Sequence, residues 1–350
     1  MTLTADLKQH ALALGFDAVG ICGARPSSHA GFYQRWLELG YAGEMAYLVR
    51  RSDERRDPRS LLPGCRSVVV VGLNSYLPDE GPPAPGYGFI ARYARRDDYH
   101  DLMKQRLLAL LGWLASRTSQ PTASLGRAYV DTAPLLEREL AAQAGLGWIG
   151  SNCCLISPRF GSWLLLGELL LEIELQPDEP RPDPRCGTCT RCLDACPTGA
   201  LVAPHLLDAR RCLAYLTIEL KAAIPEDLRP LFGSTIYGCD LCQEVCPWNQ
   251  RFSQASSDPA FAPRPGLVNP SLLELMALDE EAYRQRFQTT PMMRSKRRGL
   301  LRNVAVALGN WGHPDARPAL QRALNDPDPL LREHTTWALR IGADKGEHPE

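Results

Sequence analysis

With 350 residues the chain is long enough for two or three domains. Its 45% hydrophobic and 23% charged content is ordinary for a globular protein, and a net charge of −1 excludes whole-molecule attraction to nucleic acid, leaving a local basic patch as the route to such a role. Residues 1–16 lack the basic-then-apolar order of a signal peptide, and the apolar run Trp163 to Leu171, broken by Gly167 and Glu168, is far short of the roughly 20 residues that span a bilayer. A soluble, cytoplasmic protein without membrane contact is expected, and in a reducing compartment twelve cysteines argue for metal ligation rather than disulfides.

The first segment, to about residue 175, alternates helical and strand signals. Residues 4–15 and 31–50 carry helical periodicity, with Trp36, Leu37, Met45 and Leu48 as apolar positions. Ser67 to Leu73 is a continuous β-branched apolar run that predicts a buried strand. Tyr99 to Ser116 predicts a helix and Arg127 to Asp131 a short strand. A helix is expected from Thr132, with Pro134 early and Gly145 closing it. Cys153 to Ile156 and Ser162 to Leu175 add strand signal, so residues 1–175 read as a mixed α/β domain. Residues 176–185, with four prolines, are a linker or entry loop. A cysteine-rich domain is expected to about 265, and helices from 266 to 350. There, Leu300-Leu-Arg302 and Leu330-Leu-Arg332 repeat thirty residues apart, with Asp326-Pro-Asp-Pro329 turning the chain, which suggests a short helical-repeat piece.

Cys186, Cys189, Cys192 and Cys196 fit C-x-x-C-x-x-C-x-x-x-C followed by Pro197, the spacing of bacterial ferredoxins. Cys239, Cys242 and Cys246-Pro247 form a second copy that lacks one cysteine, for which Cys212 is the available replacement. In two-cluster ferredoxins the cysteine before the proline serves the other cluster. That rule allocates Cys186, Cys189, Cys192 and Cys246 to one 4Fe–4S cluster and Cys196, Cys212, Cys239 and Cys242 to another. A pair of zinc sites would use the same C-x-x-C pairs but explains neither three thiols in a row nor two C-P endings. Cys22, Cys65, Cys153 and Cys154 read as small core residues.

Clusters move electrons, so another part of the chain must use them. No G-x-G-x-x-G follows a strand and no P-loop is present. Asp98-Tyr-His100 begins like a D-x-H-x-x-G cobalamin-ligand motif, but Met103 stands in place of the glycine, so histidine ligation from that motif is not expected.

Taken in order, several motifs resemble the epoxyqueuosine reductase family. They are Gly40 to Leu48, Arg56-Asp-Pro58 with Leu61 to Gly64, Ala91 to Ala94 with Asp98 to His100, and Val130-Asp-Thr-Ala-Pro134 with Glu137-Arg138. Gly145 to Gly150, Gly238 to Gln243 with Val245 to Asn249, and Arg297 to Asn303 complete the set. The resemblance implies an α/β cobalamin-binding domain, a ferredoxin-like two-cluster domain and C-terminal α-helical HEAT-like repeats. It implies a monomeric oxidoreductase, fed by an external electron donor, that reduces epoxyqueuosine to queuosine at the tRNA wobble position. It places Arg56, Tyr99, His100, Asp131, Ser151, Asn152 and Ser162 around cobalamin, Asp131 as proton donor and Arg138 beside it. In one departure, Ser151-Asn152 stands where the family continues Trp-Ile-Gly with Lys-Asn.

Alone, Asp131 between a strand and a helix would read as a helix cap; the resemblance makes it the acid, a carboxyl kept neutral by burial. Arg138 could hold phosphate, a corrin amide or substrate, or be a surface arginine. Arg294, Lys296, Arg297, Arg298 and Arg302 form the densest basic cluster, either a solvated helix start or a tRNA-backbone contact, with Lys221 as a further candidate. A reductive dehalogenase-like cobalamin enzyme and a ferredoxin-type carrier are the alternatives. The helical repeats and basic cluster argue against the first, the large N-terminal segment against the second.

Overall fold

The computed structural model describes residues 2–78, 81–181 and 185–346. A four-stranded antiparallel sheet, in the order Ala18–Gly23, Ser67–Asn74, Leu164–Leu171, Gly126–Tyr129, forms the centre of the first segment. Every residue of the second strand is buried, because the sheet is covered on both faces. Val69, Val71 and Leu73 pack with Leu169, Leu171 and the long helix Tyr99–Thr118, whereas Val68, Val70 and Leu170 pack with Leu140 and Ala141 of the helix Glu137–Gln143. Each such side chain contributes about 1.5–3 kcal/mol by leaving water. Asp98 caps the long helix by accepting the His100 N–H at 3.0 Å, which also fixes where His100 leaves the helix.

Three local expectations change. The helix expected over 31–50 is two, Ala30–Glu38 and Ala46–Arg50. Between them Gly43 has φ +57, and a Cβ there would lie 2.4 Å from the Tyr215 hydroxyl. The helix expected from Thr132 starts at Glu137, because Asp131 has φ +52 and the intervening residues form a loop. The strand signal at Cys153 to Ile156 survives only as Leu155–Ile156.

The expected linker runs without regular structure where it is described; residues 182–184 lie outside the described residues. Beyond it come the short helices Arg191–Asp194 and Leu241–Glu244, packed on each other, and then the helices Lys296–Trp311, Ala316–Ala323 and Pro329–Gly346. One hydrophobic core runs from Ala209 through Tyr237 to Trp337 and takes in Ile90 and Ala94. Strand Thr235–Tyr237 pairs with Phe89–Ile90, so packing crosses the expected boundaries at 175 and 265. Among the described residues no helix is long and apolar enough to cross a membrane.

Candidate cluster and reaction sites

The cysteine region folds back on itself so that thiols distant in sequence meet. Cys186, Cys189, Cys192 and Cys246 line one cavity of about 160 Å³ together with Pro247 and Trp248. Cys196, Cys212 and Cys239 lie within electrostatic reach of one another, and Cys242 beside Cys239 and Cys212. These are the two sets that the cross-ligation rule allocates. Burial pushes the Cys239 thiol up to about 12 and the Cys192 thiol up to about 11. Thiols held neutral in this way become ligands when a metal displaces the proton. Among the described residues no three His, Cys, Asp or Glu side chains converge as a single-ion site; the thiols stand around space instead, which fits a cubane.

The 151–154 loop joins the two sets. Ser151 N–H donates to Cys186 Sγ at 3.4 Å, and Asn152 Nδ2 donates to the Cys242 carbonyl at 3.3 Å. Cys154 packs its thiol against that of Cys242, and Cys153 takes φ +64. Cys22 and Cys65 are core residues as expected, but Cys153 and Cys154 border the cluster region rather than the hydrophobic core.

A second constellation gathers at Asp131. His100 sits between two carboxylates, with Nδ1 on Asp98 and Nε2 3.3 Å from Asp131 Oδ2. Tyr99 stacks on the His100 ring at 4.3 Å between centroids. Tyr47 and Arg294 lie within electrostatic reach of Asp131, and Arg294 is itself paired with Glu219 at 2.7 Å. Arg55 donates to the carbonyls of Ala133 and Leu135, bracing the loop after Asp131. Glu137 Oε1 accepts the Asp131 N–H at 2.8 Å.

The charges in this constellation are settled by these contacts. Bonds to Asp131 and Asp98 raise His100 to about 9, so the imidazole is protonated at neutral pH and neither ring nitrogen is free for cobalt. The His100 bond holds Asp131 below the ordinary carboxylate range. The Asp131 side chain is 54% exposed. The expectation of a carboxyl kept neutral by burial is therefore corrected: Asp131 is ionised at rest, and the nearest held proton is on His100. Nor is Asp131 the helix cap; that position belongs to Leu136, which makes no side-chain cap.

The remaining residues expected at the cofactor lie outside the Asp131 constellation. Ser151 and Asn152 belong to the cluster loop, and Ser162 is buried between the sheet and the cysteine region, donating to Gln243 Oε1 at 2.9 Å. Arg56 is exposed and paired with Asp53 at 3.3 Å; its neighbour Arg55 makes the contact to the Asp131 loop. Arg138 donates to the Cys153 carbonyl, tying the helix after Asp131 to the cluster loop. A larger cavity, about 620 Å³, is lined by Cys239 with Tyr76, Phe89, Trp163 and Leu241, and includes none of the Asp131 constellation. Tyr47, Arg55, Glu137 and Glu168 went unassigned in the sequence. Tyr47 and Glu137 stand inside the family motifs, but only the folded chain shows what they face.

The basic cluster divides. Arg302 is 0% exposed and donates to the carbonyls of Leu216, Leu220 and Ala222, so the expected tRNA contact by Arg302 is corrected: it is a core residue. Arg297 is held by Asp326 at 2.7 Å and by the Leu278 carbonyl. Arg298 is paired with Asp328 at 2.8 Å but half exposed, and Lys221 Nζ donates to the Ile218 carbonyl. Lys296 is exposed with no ion pair among the described residues.

Two thiol sets beside a polar cleft of paired charges define a redox protein built on a double iron–sulfur module. Comparison with known proteins agrees. Residues 185–249 match the family described as a 4Fe-4S double cluster binding domain, 55–132 match "Epoxyqueuosine reductase QueG, DUF1730", and 290–346 match HEAT repeats. The chain is 43% identical to the epoxyqueuosine reductase of Pseudomonas aeruginosa, covering 97% of this chain and 94% of that one, and 43% identical to that of Escherichia coli, covering 96% and 89%. A crystal structure of epoxyqueuosine reductase with an epoxyqueuosine-modified tRNA-Tyr stem loop superposes with TM-score 0.89 at 31% identity, over 98% of this chain and 91% of that one. The Bacillus subtilis enzyme, solved with its aspartate-bearing catalytic loop swung out of the active site, superposes with TM-score 0.87 at 30% identity, over 98% and 91%. This chain belongs to the epoxyqueuosine reductase family.

Proposed function

We infer that this chain reduces epoxyqueuosine to queuosine at the wobble position of tRNA. The balance is two electrons and two protons per epoxide: both C–O bonds break, a ring alkene forms and the oxygen leaves as water. The observation that carries the reading is the near-full-length match in sequence and fold to epoxyqueuosine reductases, in a chain that retains both cysteine sets and the Asp131 loop.

Cobalamin, when bound, supplies the strongly reducing centre, with electrons from the two clusters. A corrin is a broad face edged with amides. The partly exposed Tyr47 and the half-exposed Asp131, with the more deeply set Tyr99 and with Arg294 nearby, offer aromatic and polar groups that suit one. Asp131 hands the proton to the departing oxygen, and His100 stores it as imidazolium 3.3 Å behind. Arg138 positions the helix against the cluster loop. Lys296 and Arg298 take tRNA phosphates. Electrons come from an external reductant.

The test is incubation of the cobalamin-loaded protein with a strong reductant and epoxyqueuosine tRNA, followed by nucleoside mass analysis. Queuosine, lighter by one oxygen, is expected; unchanged epoxyqueuosine would overturn the reading.

A further inference from the structure

Glu168 is an unusual residue to find where it is. It occupies the middle of the central strand Leu164–Leu171, opposite Val70 and Tyr129, and is 0% exposed. Among the described residues no hydrogen-bond donor reaches either of its carboxyl oxygens. An isolated buried carboxylate costs several kcal/mol, so it is expected either to find a partner or to take up a proton. What it faces is a second acid, Glu137 of the helix laid on that side of the sheet. The other groups near the two are Asp131, Tyr99, Arg138 and the Cys22 thiol; Arg138 is exposed and committed to the Cys153 carbonyl.

Two ionised carboxylates can only accept, so a bond between them requires that one be protonated. A single shared proton gives one orphaned oxygen of Glu168 a partner and leaves Glu137 Oε1 free to accept the Asp131 N–H, the contact observed at 2.8 Å. That contact bears on a strained point: Asp131 sits at φ +52, in the left-handed region that a residue with a Cβ adopts at a cost. Burial pushes Glu137 up to about 7 and Glu168 well above the carboxylate range, in keeping with a pair that retains a proton at neutral pH.

We propose that Glu137 and Glu168 form a one-proton carboxyl pair whose function is to hold Asp131 in its working conformation. Glu137 is the positioning residue and Glu168 the buried support that keeps it in place. The pair does not touch substrate, and it rests on the reading of Asp131 as the group that delivers the proton.

Two measurements on the full-length, cluster-loaded protein test it. The first is infrared spectroscopy, independent of activity: the unmutated protein at neutral pH should show a protonated-carboxyl stretch that disappears in Glu168→Gln. No difference between the two spectra would overturn the shared proton. The second is single-turnover reduction. Misplacing a reacting group by about 1 Å can cost on the order of 100-fold, and a loss of that order is expected for Glu137→Ala. Glu137→Gln, whose amide oxygen still accepts the Asp131 N–H, should recover most of it, with cluster absorbance unchanged in both. If Glu137→Ala turns over at the unmutated rate, or Glu137→Gln is as slow as Glu137→Ala, the positioning role is wrong. If the unmutated protein yields no queuosine, the functional reading fails instead, while the infrared comparison still decides whether the acid pair exists.

Discussion

The cluster region and the Asp131 cleft handle polar groups in opposite ways. In the cluster region, thiols such as Cys192, on the small cavity, and Cys239, beside Cys212 and Cys196, are pushed up by burial. In the cleft, charges are already matched inside the protein: His100 between Asp98 and Asp131, and Arg294 on Glu219. Four cysteines around a void are completed by a group that displaces thiol protons and fills the space. A cleft whose charged groups are already paired is set to hold a proton and pass it on. The same distinction divides the basic cluster, where Arg302 is consumed by backbone carbonyls and Lys296 is left facing solvent. Which residues are free for a ligand is decided by what the fold has already given them.

The largest effect expected is on the cluster side. Cys212→Ser should remove one cluster and leave the other, lowering iron from about eight to about four atoms per chain by anaerobic iron and sulfide analysis. Unchanged iron would show that the distant ligand is a different residue, with Cys154 beside Cys242 the first to examine.

Next comes Arg302→Ala. Three carbonyl acceptors lose their donor in the core, so unfolding stability should drop by roughly 3 kcal/mol or more, read from denaturant titration. A stable variant that has merely lost tRNA affinity would break the division between consumed and available cations.

A smaller effect is expected from Lys296→Ala with Arg298→Ala. Each lost phosphate contact lowers the log–log salt dependence of tRNA binding by up to roughly 0.9, with the fold intact. An unchanged slope would place the tRNA elsewhere.

The least dramatic is the pH response of the cleft. His100 is raised from 6.5 to about 9, so its ion pairing is fully present below pH 6.5 and is lost as pH rises through about 9. Asp131 is lowered from 3.8, so its share is present above that value and lost as pH falls below it. Single-turnover rate should therefore hold through neutral pH and fall above about 9. His100→Gln should abolish that alkaline limb; a limb that persists in the variant would assign it to another group.

Both regions carry sequence signals, but of different range. The two cysteine sets were legible because the spacing that brings Cys186, Cys189 and Cys192 to one cavity is local and recurs at Cys239 and Cys242, whereas Cys246 and Cys212 join their sets from a distance. The long helix and the buried strand at Ser67 were legible from periodicity and β-branching. The Asp131 loop was not, because its shape depends on a positive φ and on Glu137, Arg55 and His100, drawn from separate segments. The charge of Asp131 was misjudged for the same reason: sequence shows a carboxylate near a strand end, but not the imidazolium that faces it. Arg302 looked like its basic neighbours, since helical phase relative to an unseen core is what buries it.

The measurement that bears most directly on the central claim is single-turnover reduction of epoxyqueuosine tRNA by Asp131→Asn, loaded with both clusters and cobalamin and reduced beforehand so that electron supply is not limiting. Asparagine keeps the size of the side chain but cannot relay the His100 proton. A positioned proton donor is worth about 10²–10⁴-fold, so the account expects a loss in that range with iron content and corrinoid spectrum unchanged. Turnover near the unmutated rate would contradict it and assign the proton to water or another group.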